Sequence, residues 1–159
     1  MQKEPQIRKA RIGEFLDVAR LDRNSWQENR DSDYIPDGEH IWRLWIEYST
    51  VFVALIDNRI IGASVMFKSD EGCLFLLHKI FIEKEFRDKK IGHLFFSKIT
   101  EFLDQCQGDC LLTTDPVNAR MIHLCEKFGF LEKTFEPSFY RKNEDRYILR
   151  RVNKKGLSQ

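Results

Sequence analysis

Fourteen consecutive residues carry the most legible chemistry of this chain: Ile80-Phe81-Ile82-Glu83-Lys84-Glu85-Phe86-Arg87-Asp88-Lys89-Lys90-Ile91-Gly92-His93. An apolar strand runs into a basic turn bearing Arg87, Lys89 and Lys90, and a helical pattern starts at once around Gly92. Unpaired N–H groups and the positive end of a helix then point the same way, which makes an anion site. The Gly-x-x-x-x-Gly-Lys-Ser/Thr spacing of a nucleoside triphosphate loop is absent. His78 lies two residues upstream and shares strand parity with Ile80 and Ile82. With an ordinary pKa of about 6.5 it is a candidate general base, although a lone strand histidine is more often structural. The four cysteines are Cys73, Cys106, Cys110 and Cys125. Cys106 and Cys110 are spaced loosely like a zinc pair, but no second pair follows at finger spacing, so no metal is expected. Most of the cysteines read as small buried hydrophobes.

The elements that must position these residues follow from periodicity. Residues 5–11 read as a strand. Ile12, Phe15, Leu16 and Ala19 predict a helix over 12–22, and Ile41, Leu44, Trp45 and Tyr48 a second over 38–49. The polar stretch between them reads as a loop holding Trp26, Glu28, Asp31, Asp33 and Tyr34. Residues 51–56 and 59–67 are strands joined by an Asp57-Asn58 hairpin turn, and 73–82 is a long third strand. Ile91, Leu94, Phe95, Ile99, Phe102 and Leu103 form a helical stripe, with Gly108 beyond its end. Residues 110–114 are a strand. Asp115 reads as the cap of a helix over 116–128, with Pro116 at its first position and Gly129 ending it. Strands over 130–136 and 145–152 close the order, and 153–159 are expected to fray.

The 159 residues suit one domain, 1–152, with an ordinary core. Hydrophobic residues make up 42% and charged residues 32%, and the net charge of +1 gives no global field to recruit nucleic acid. No apolar run approaches the ~20 residues of a membrane span. Met1 to Pro5 lacks the apolar core of a secretion signal, so a cytoplasmic protein with reduced cysteines is expected.

Two local patterns, in this order of elements, resemble the GNAT family, the Gcn5-related N-acetyltransferases. The first is the family's acetyl-CoA loop, an apolar strand followed by Pro-x-aromatic-Arg-Gly-x-Gly-Ile-Gly. Ile82, Phe86, Arg87, Ile91 and Gly92 match it; Lys84 replaces the proline, and Asp88 and Lys90 replace two glycines. The second is the family's Asn-led helix, here running from Asn118 to Leu124-Cys125-Glu126-Lys127-Phe128-Gly129-Phe130. The resemblance covers residues 6–152. It implies an α/β, GNAT-like acyl-CoA N-acyltransferase fold: a mixed, mostly antiparallel sheet of about six or seven strands flanked by about four helices, ordered β-α-α-β-β-β-α-β-α-β-β.

The resemblance also implies a function. Acetyl-CoA would be the co-substrate, its phosphates met by Arg87, Asp88, Lys89, Lys90, Ile91, Gly92 and His93. Lys90 fits if its φ is negative and its side chain turns away, or it adds a cation to the phosphates. Main-chain groups of Ile80, Phe81 and Ile82 would bond the pantetheine arm like an added strand, with Asn118 close to that arm. Acetyl transfer to an amine needs a base, oxyanion stabilisation and a donor for the leaving thiolate. Many family members resemble one another in using a tyrosine as that donor. Cys125 stands in its place here, where the plainer reading is a core residue; Tyr140, on the loop between the last two strands, is a substitute. Trp26 and Tyr34 would line the acceptor site, where the plainer reading is an ordinary polar loop. The expected reaction is direct transfer from acetyl-CoA to a small-molecule or peptide amine in a ternary complex. The alternative is a non-catalytic acyl-CoA-binding sensor of the same fold. No nucleic acid or membrane partner is expected, and a homodimer is an open option.

Overall fold

The computed structural model describes residues 3–28 and 37–154. Four helices, α1 (Phe15–Trp26), α2 (Glu39–Tyr48), α3 (Ile91–Cys106) and α4 (Ala119–Lys127), accompany seven strands. The strands are β1 (Gln6–Lys9), β2 (Thr50–Ile56), β3 (Arg59–Lys68), β4 (Leu74–Ile82), β5 (Asp109–Thr114), β6 (Glu132–Glu136) and β7 (Arg146–Arg151). They form one sheet in the order β1-β2-β3-β4-β5-β7-β6. The pair β4–β5 is parallel, while β1–β2, β2–β3, β5–β7 and β6–β7 are antiparallel. This is the mixed, mostly antiparallel α/β fold that the order of elements implies.

The chain divides into two compact units, Met1–Met66 with Lys79–Phe95, and Phe67–His78 with Phe96–Gln159. In the first, Val51 to Leu55 of β2 are all buried, as are Ile60 to Met66 of β3. Runs without polar alternation belong to strands covered on both faces. The β2–β3 turn is tight because Asp57 and Asn58 both take left-handed backbone, with φ of 50° and 65°. Two such residues give the primed turn whose twist matches a hairpin, and both residue types tolerate it. Ile56 consequently pairs directly with Arg59.

The first helix departs from the periodicity. Ile12–Glu14 is a 3-10 turn and α1 proper runs on to Trp26, past the expected end at 22. Arg8 bonds both oxygens of Glu14 at 2.6 and 3.0 Å, and Glu14 also accepts from the Arg11 N–H at 2.8 Å. The Arg8 guanidinium holds the Glu14 carboxyl below the usual carboxylate range. This clamp tightens the entry turn. At the other end Asn24 and Ser25 continue the helix, and Gln27 N–H still reaches the Arg23 carbonyl at 3.3 Å.

In the second unit α4 is shorter than expected. Asp115 does not cap it: its carboxylate accepts from Val117 N–H at 3.1 Å in a local turn, and Asn118 caps the helix by accepting from Met121 N–H at 3.2 Å. The helix stops through Gly129, at φ 89°. Phe130 N–H bonds the Cys125 carbonyl at 3.1 Å and Gly129 N–H bonds that of Glu126 at 3.1 Å, a Schellman closure. That closure takes Phe130, expected to begin a strand, into the core with 0% exposure. Phe96 stacks on Phe128 and meets Phe130 edge-on, at 5.6 and 5.9 Å between centroids. Of the tail, Asn153 is buried and donates its N–H to Asp109 at 2.8 Å; 155–159 lie outside the described residues.

Gly62 shows how closely β3 is packed. A Cβ there would lie 2.8 Å from the Phe81 carbonyl oxygen and 3.2 Å from the Phe95 ring. Gly62→Ala is therefore expected to cost about 1–3 kcal/mol. A lower urea midpoint with an unchanged m-value would show it; an unchanged midpoint would contradict the packing argument.

Candidate active site

The residues that could bind an anion lie in the first unit. Strand β4 ends where Glu83 N–H bonds the Ile61 carbonyl at 2.8 Å, and Lys84–Phe86 then forms a 3-10 turn. Beyond Arg87 the backbone turns left-handed twice, at Asp88 (φ 63°) and Lys90 (φ 60°). These are the two places where the resembled pattern has glycine. The condition that Lys90 keep a negative φ is thus not met. Glycine takes such backbone without steric cost, and a side chain strains it. Left-handed residues in a turn can gather main-chain N–H groups toward one side, the arrangement that binds anions elsewhere. Helix α3 opens directly behind the bends, its first intrahelical bond running from Leu94 N–H to the Lys90 carbonyl at 3.2 Å. The preceding N–H groups of the first turn have no acceptor within the helix.

Charge at this point runs against the helix. The first turn of α3 contains no acidic residue, while Lys89 and Lys90 stand exposed just before it. Cations at the positive end of a helix are unfavourable unless an anion shares the site. Asp88 adds one exposed carboxylate. Arg87 is engaged otherwise: Nε donates to the Ile82 carbonyl at 2.9 Å and Nη1 pairs with Glu28 at 2.5 Å. Its side chain braces the loop against the end of β4. A cleft of about 340 Å³ lies beside it, lined among others by Leu21, Ser25, Glu28, Glu83 and Glu85. Arg59 holds Glu83 at 2.6 Å, and the other Glu83 carboxylate oxygen is buried without a partner among the described residues. Ile80, Phe81 and Ile82 are half-buried, and Gly92 and His93 are half-buried in the first turn of α3.

One group in this unit was not singled out from the sequence. Lys79 of β4 places Nζ 3.0 and 2.9 Å from the two oxygens of Asp22, and 2.5 Å from Asp37. Trp42 Nε1 donates to Asp22 at 2.9 Å, and Nζ stands 5.4 Å above the Trp26 ring. Asp22 is 3% exposed. The hint was available: a lysine inside the apolar β4 run and an aspartate on the buried stripe of α1. Trp26, expected on the acceptor loop, is the last residue of α1 and is engaged with this lysine. Tyr34 lies outside the described residues.

The proton-transfer candidates lie in the second unit. Among the described residues the β4–β5 ladder runs Leu74↔Asp109, Phe75↔Cys110 and Leu76↔Leu111. Leu77 and His78 of β4, and Leu112 to Thr114 of β5, are strand residues beyond the end of that ladder. His78 is exposed, its ring 5.6 Å from Phe67. Tyr140, on the β6–β7 turn, has its hydroxyl 2.9 Å from Thr113 Oγ1, with either oxygen able to donate. Thr113 was also missed, since a strand threonine gives no signal of its own. Asn118 is exposed, its side-chain carbonyl committed to the α4 cap. Cys125 is 0% exposed, and burial pushes its thiol up to about 12. Burial does the same for Cys110. Cys73 and Cys106, by contrast, are exposed. The described residues include no group of histidine, cysteine and carboxylate side chains able to hold a metal, and no helix long and apolar enough to cross a membrane.

A family model, the acetyltransferase (GNAT) family, matches residues 15–130. No curated protein sequence matches significantly. Among solved structures, a GNAT-family acetyltransferase from Streptococcus pneumoniae is 20% identical, with a TM-score of 0.80 over 94% of this chain and 99% of that one. The ribosomal-protein-S18-alanine N-acetyltransferase from Escherichia coli is 15% identical, with a TM-score of 0.77 over 94% of both chains. The yncA protein of Salmonella typhimurium, solved with its cofactor acetyl-CoA, is 14% identical, with a TM-score of 0.82 over 96% of both. At these identities the likeness is one of fold.

Two measurements check the site. Lys90→Gly is expected to raise stability by about 0.5–1 kcal/mol, because relief of left-handed strain exceeds the added chain entropy. A lower denaturation midpoint would contradict the bend at 90. Titration with a thiol-reactive disulfide should label Cys73 and Cys106 in the native protein and Cys110 and Cys125 only after unfolding. Rapid native labelling of Cys125 would contradict its burial.

Proposed function

Since the chain belongs to the GNAT acetyltransferase family, we propose that it moves an acetyl group from acetyl-CoA to a primary amine by direct transfer in a ternary complex. The observation that carries this reading is the pair of left-handed bends at Asp88 and Lys90, set directly ahead of α3. A chain that keeps strained backbone at both glycine positions keeps the cradle shape itself. The yncA protein of the same fold was solved with acetyl-CoA, which supports the choice of co-substrate.

In this reading the loop N–H groups and the first turn of α3 receive the pyrophosphate, with Lys89 and Lys90 adding charge. Arg87 contributes by fixing the loop to Ile82. Main-chain groups of Ile80 to Ile82 hold the pantetheine arm, and the Asn118 amide contacts it. His78 takes a proton from the amine. The amine nitrogen bonds the acyl carbon, the carbon–sulfur bond breaks, and Tyr140 gives its hydroxyl proton to the departing thiolate. Cys125 is a core residue: a thiol held near about 12 gives its proton to a leaving thiolate of ordinary pKa, about 8.5, only uphill. Residues 1–152 act as one acetyltransferase domain.

One observation favours the sensor reading instead. Cys125 occupies the donor position of the resembled pattern, and its burial leaves α4 without a donor there. Two experiments separate the alternatives. Thermal-shift titration with acetyl-CoA should stabilise the protein by about 2.7 kcal/mol at a hundredfold excess over Kd. No shift at millimolar acetyl-CoA would remove both readings. Thiol release should then accelerate with at least one of spermidine, an aminoglycoside, lysine or a peptide with an unblocked N-terminus. Binding without acceleration, by these or by hydroxylamine, would favour the sensor.

A further inference from the structure

The Tyr140 side chain is exposed yet held from several sides, and its holders form a built structure inside the second unit. Phe139 meets the ring edge-on at 4.7 Å, and its hydroxyl is tied to Thr113 at 2.9 Å. The Arg146 guanidinium stands 5.1 Å from the ring centroid. Arg146 is itself fixed: Nη2 donates to Glu144 at 2.8 Å and Nη1 to the Asp145 carbonyl at 2.8 Å. The second Glu144 oxygen takes Arg141 Nε at 2.6 Å. Glu144 is 9% exposed, and the Arg146 side chain 13%.

The turn around them is internally bonded. Ser138 N–H donates to Asp145 at 2.8 Å, Asn143 N–H to the Ser138 hydroxyl at 3.2 Å, and Phe139 N–H to the Glu144 carbonyl at 3.0 Å. Ser138 and Asn143 take left-handed backbone, at φ 51° and 65°. Desolvating an arginine and a glutamate to make such a turn gives little net stability, because the Coulombic gain is largely offset. The arrangement does fix the ring and put a cation over its face.

We propose that Arg146, oriented by Glu144, is a positioning residue for proton delivery by Tyr140; this rests on the reading of Tyr140 as the donor. Thr113 holds the hydroxyl against β5. When the Tyr140 O–H bond breaks and the thiolate sulfur gains the proton, negative charge spreads into the ring. A guanidinium over the ring face meets that charge as it forms, and it is attracted more strongly to the phenolate than to the neutral phenol. Water returns the proton to the phenolate after product leaves.

The test is steady-state thiol release from acetyl-CoA with hydroxylamine as the acceptor probe, on the full chain. Tyr140→Phe should lower kcat by at least about tenfold, with KM for acetyl-CoA changed less than about twofold. Arg146→Met should lower kcat by about tenfold, Arg146→Lys should recover part of the loss, and the Tyr140→Phe/Arg146→Met double variant should be no slower than Tyr140→Phe alone. Losses that multiply in the double variant, or an Arg146→Met that keeps full kcat, would overturn the proposal. Should Arg146→Met not fold, Arg146→Lys in the same cycle with Tyr140→Phe decides: full additivity overturns it. An active enzyme unaffected by Tyr140→Phe removes the donor and this inference together, while leaving acetyl transfer intact. No turnover in the parent protein removes all three.

Discussion

Main-chain pairing between β4 and β5 ends at Leu76↔Leu111, although β5 continues to Thr114 and stays paired with β7 on its other side at Leu112↔Leu149, Thr113↔Ile148 and Thr114↔Tyr147. Thr113 is thus held from the β7 side. Backbone groups left unpaired at a strand edge are costly when buried, and an added extended segment is one way to satisfy them. The placement of Thr113, and through it of the Tyr140 hydroxyl, depends on β5 remaining straight against β7. The hairpin that carries Tyr140 begins and ends in β6 and β7, which pair from Glu132↔Arg150 to Glu136↔Arg146. The same antiparallel ribbon therefore fixes both ends of the Thr113–Tyr140 contact.

The anion loop follows a different logic, with strain in place of a missing bond. Non-glycine residues at Asp88 and Lys90 cost backbone energy, and two lysines beside the positive end of α3 cost electrostatic energy. An anion close to the start of α3 would offset the electrostatic cost, while the backbone strain would remain. Arg87 stands apart from this arrangement. Committed to Ile82 and Glu28, it keeps the loop attached to β4.

How far the sequence reaches depends on the range of the interaction. Local devices were legible: the Asp57-Asn58 turn, the stripe of α3, and the Glu126-to-Phe130 stop, whose meaning is the helix closure through Gly129. Boundaries moved where a nearby side chain competed for the backbone, as Asn118 did with Asp115 for the α4 cap. Glu14 changed the start of α1 in the same way, by drawing in both Arg8 and Arg11. The left-handed backbone at Lys90 could be suspected only from the glycine of the resembled pattern. Pairings across many residues left at most a polar residue at an apolar position, with nothing to name its partner. Lys79 with Asp22, Arg87 with Glu28 and Thr113 with Tyr140 each join residues that no local rule connects.

The Lys79–Asp22 pair also limits how such a sequence can drift. Losing Lys79 leaves the buried Asp22 carboxylate facing the Trp42 N–H without its cation, at a cost of about 3–5 kcal/mol, a large share of the stability of a domain this size, whereas losing Asp22 leaves Lys79 against Asp37. Losing both for apolar residues of similar volume is close to neutral. Trp42 tightens the restriction, because its indole N–H would lose its acceptor at the same step. The two positions are therefore expected to be coupled, since a change at one alters what the other can bear. Positions 22 and 79 should change together among divergent sequences of this fold, with Trp42 retained only where the carboxylate is.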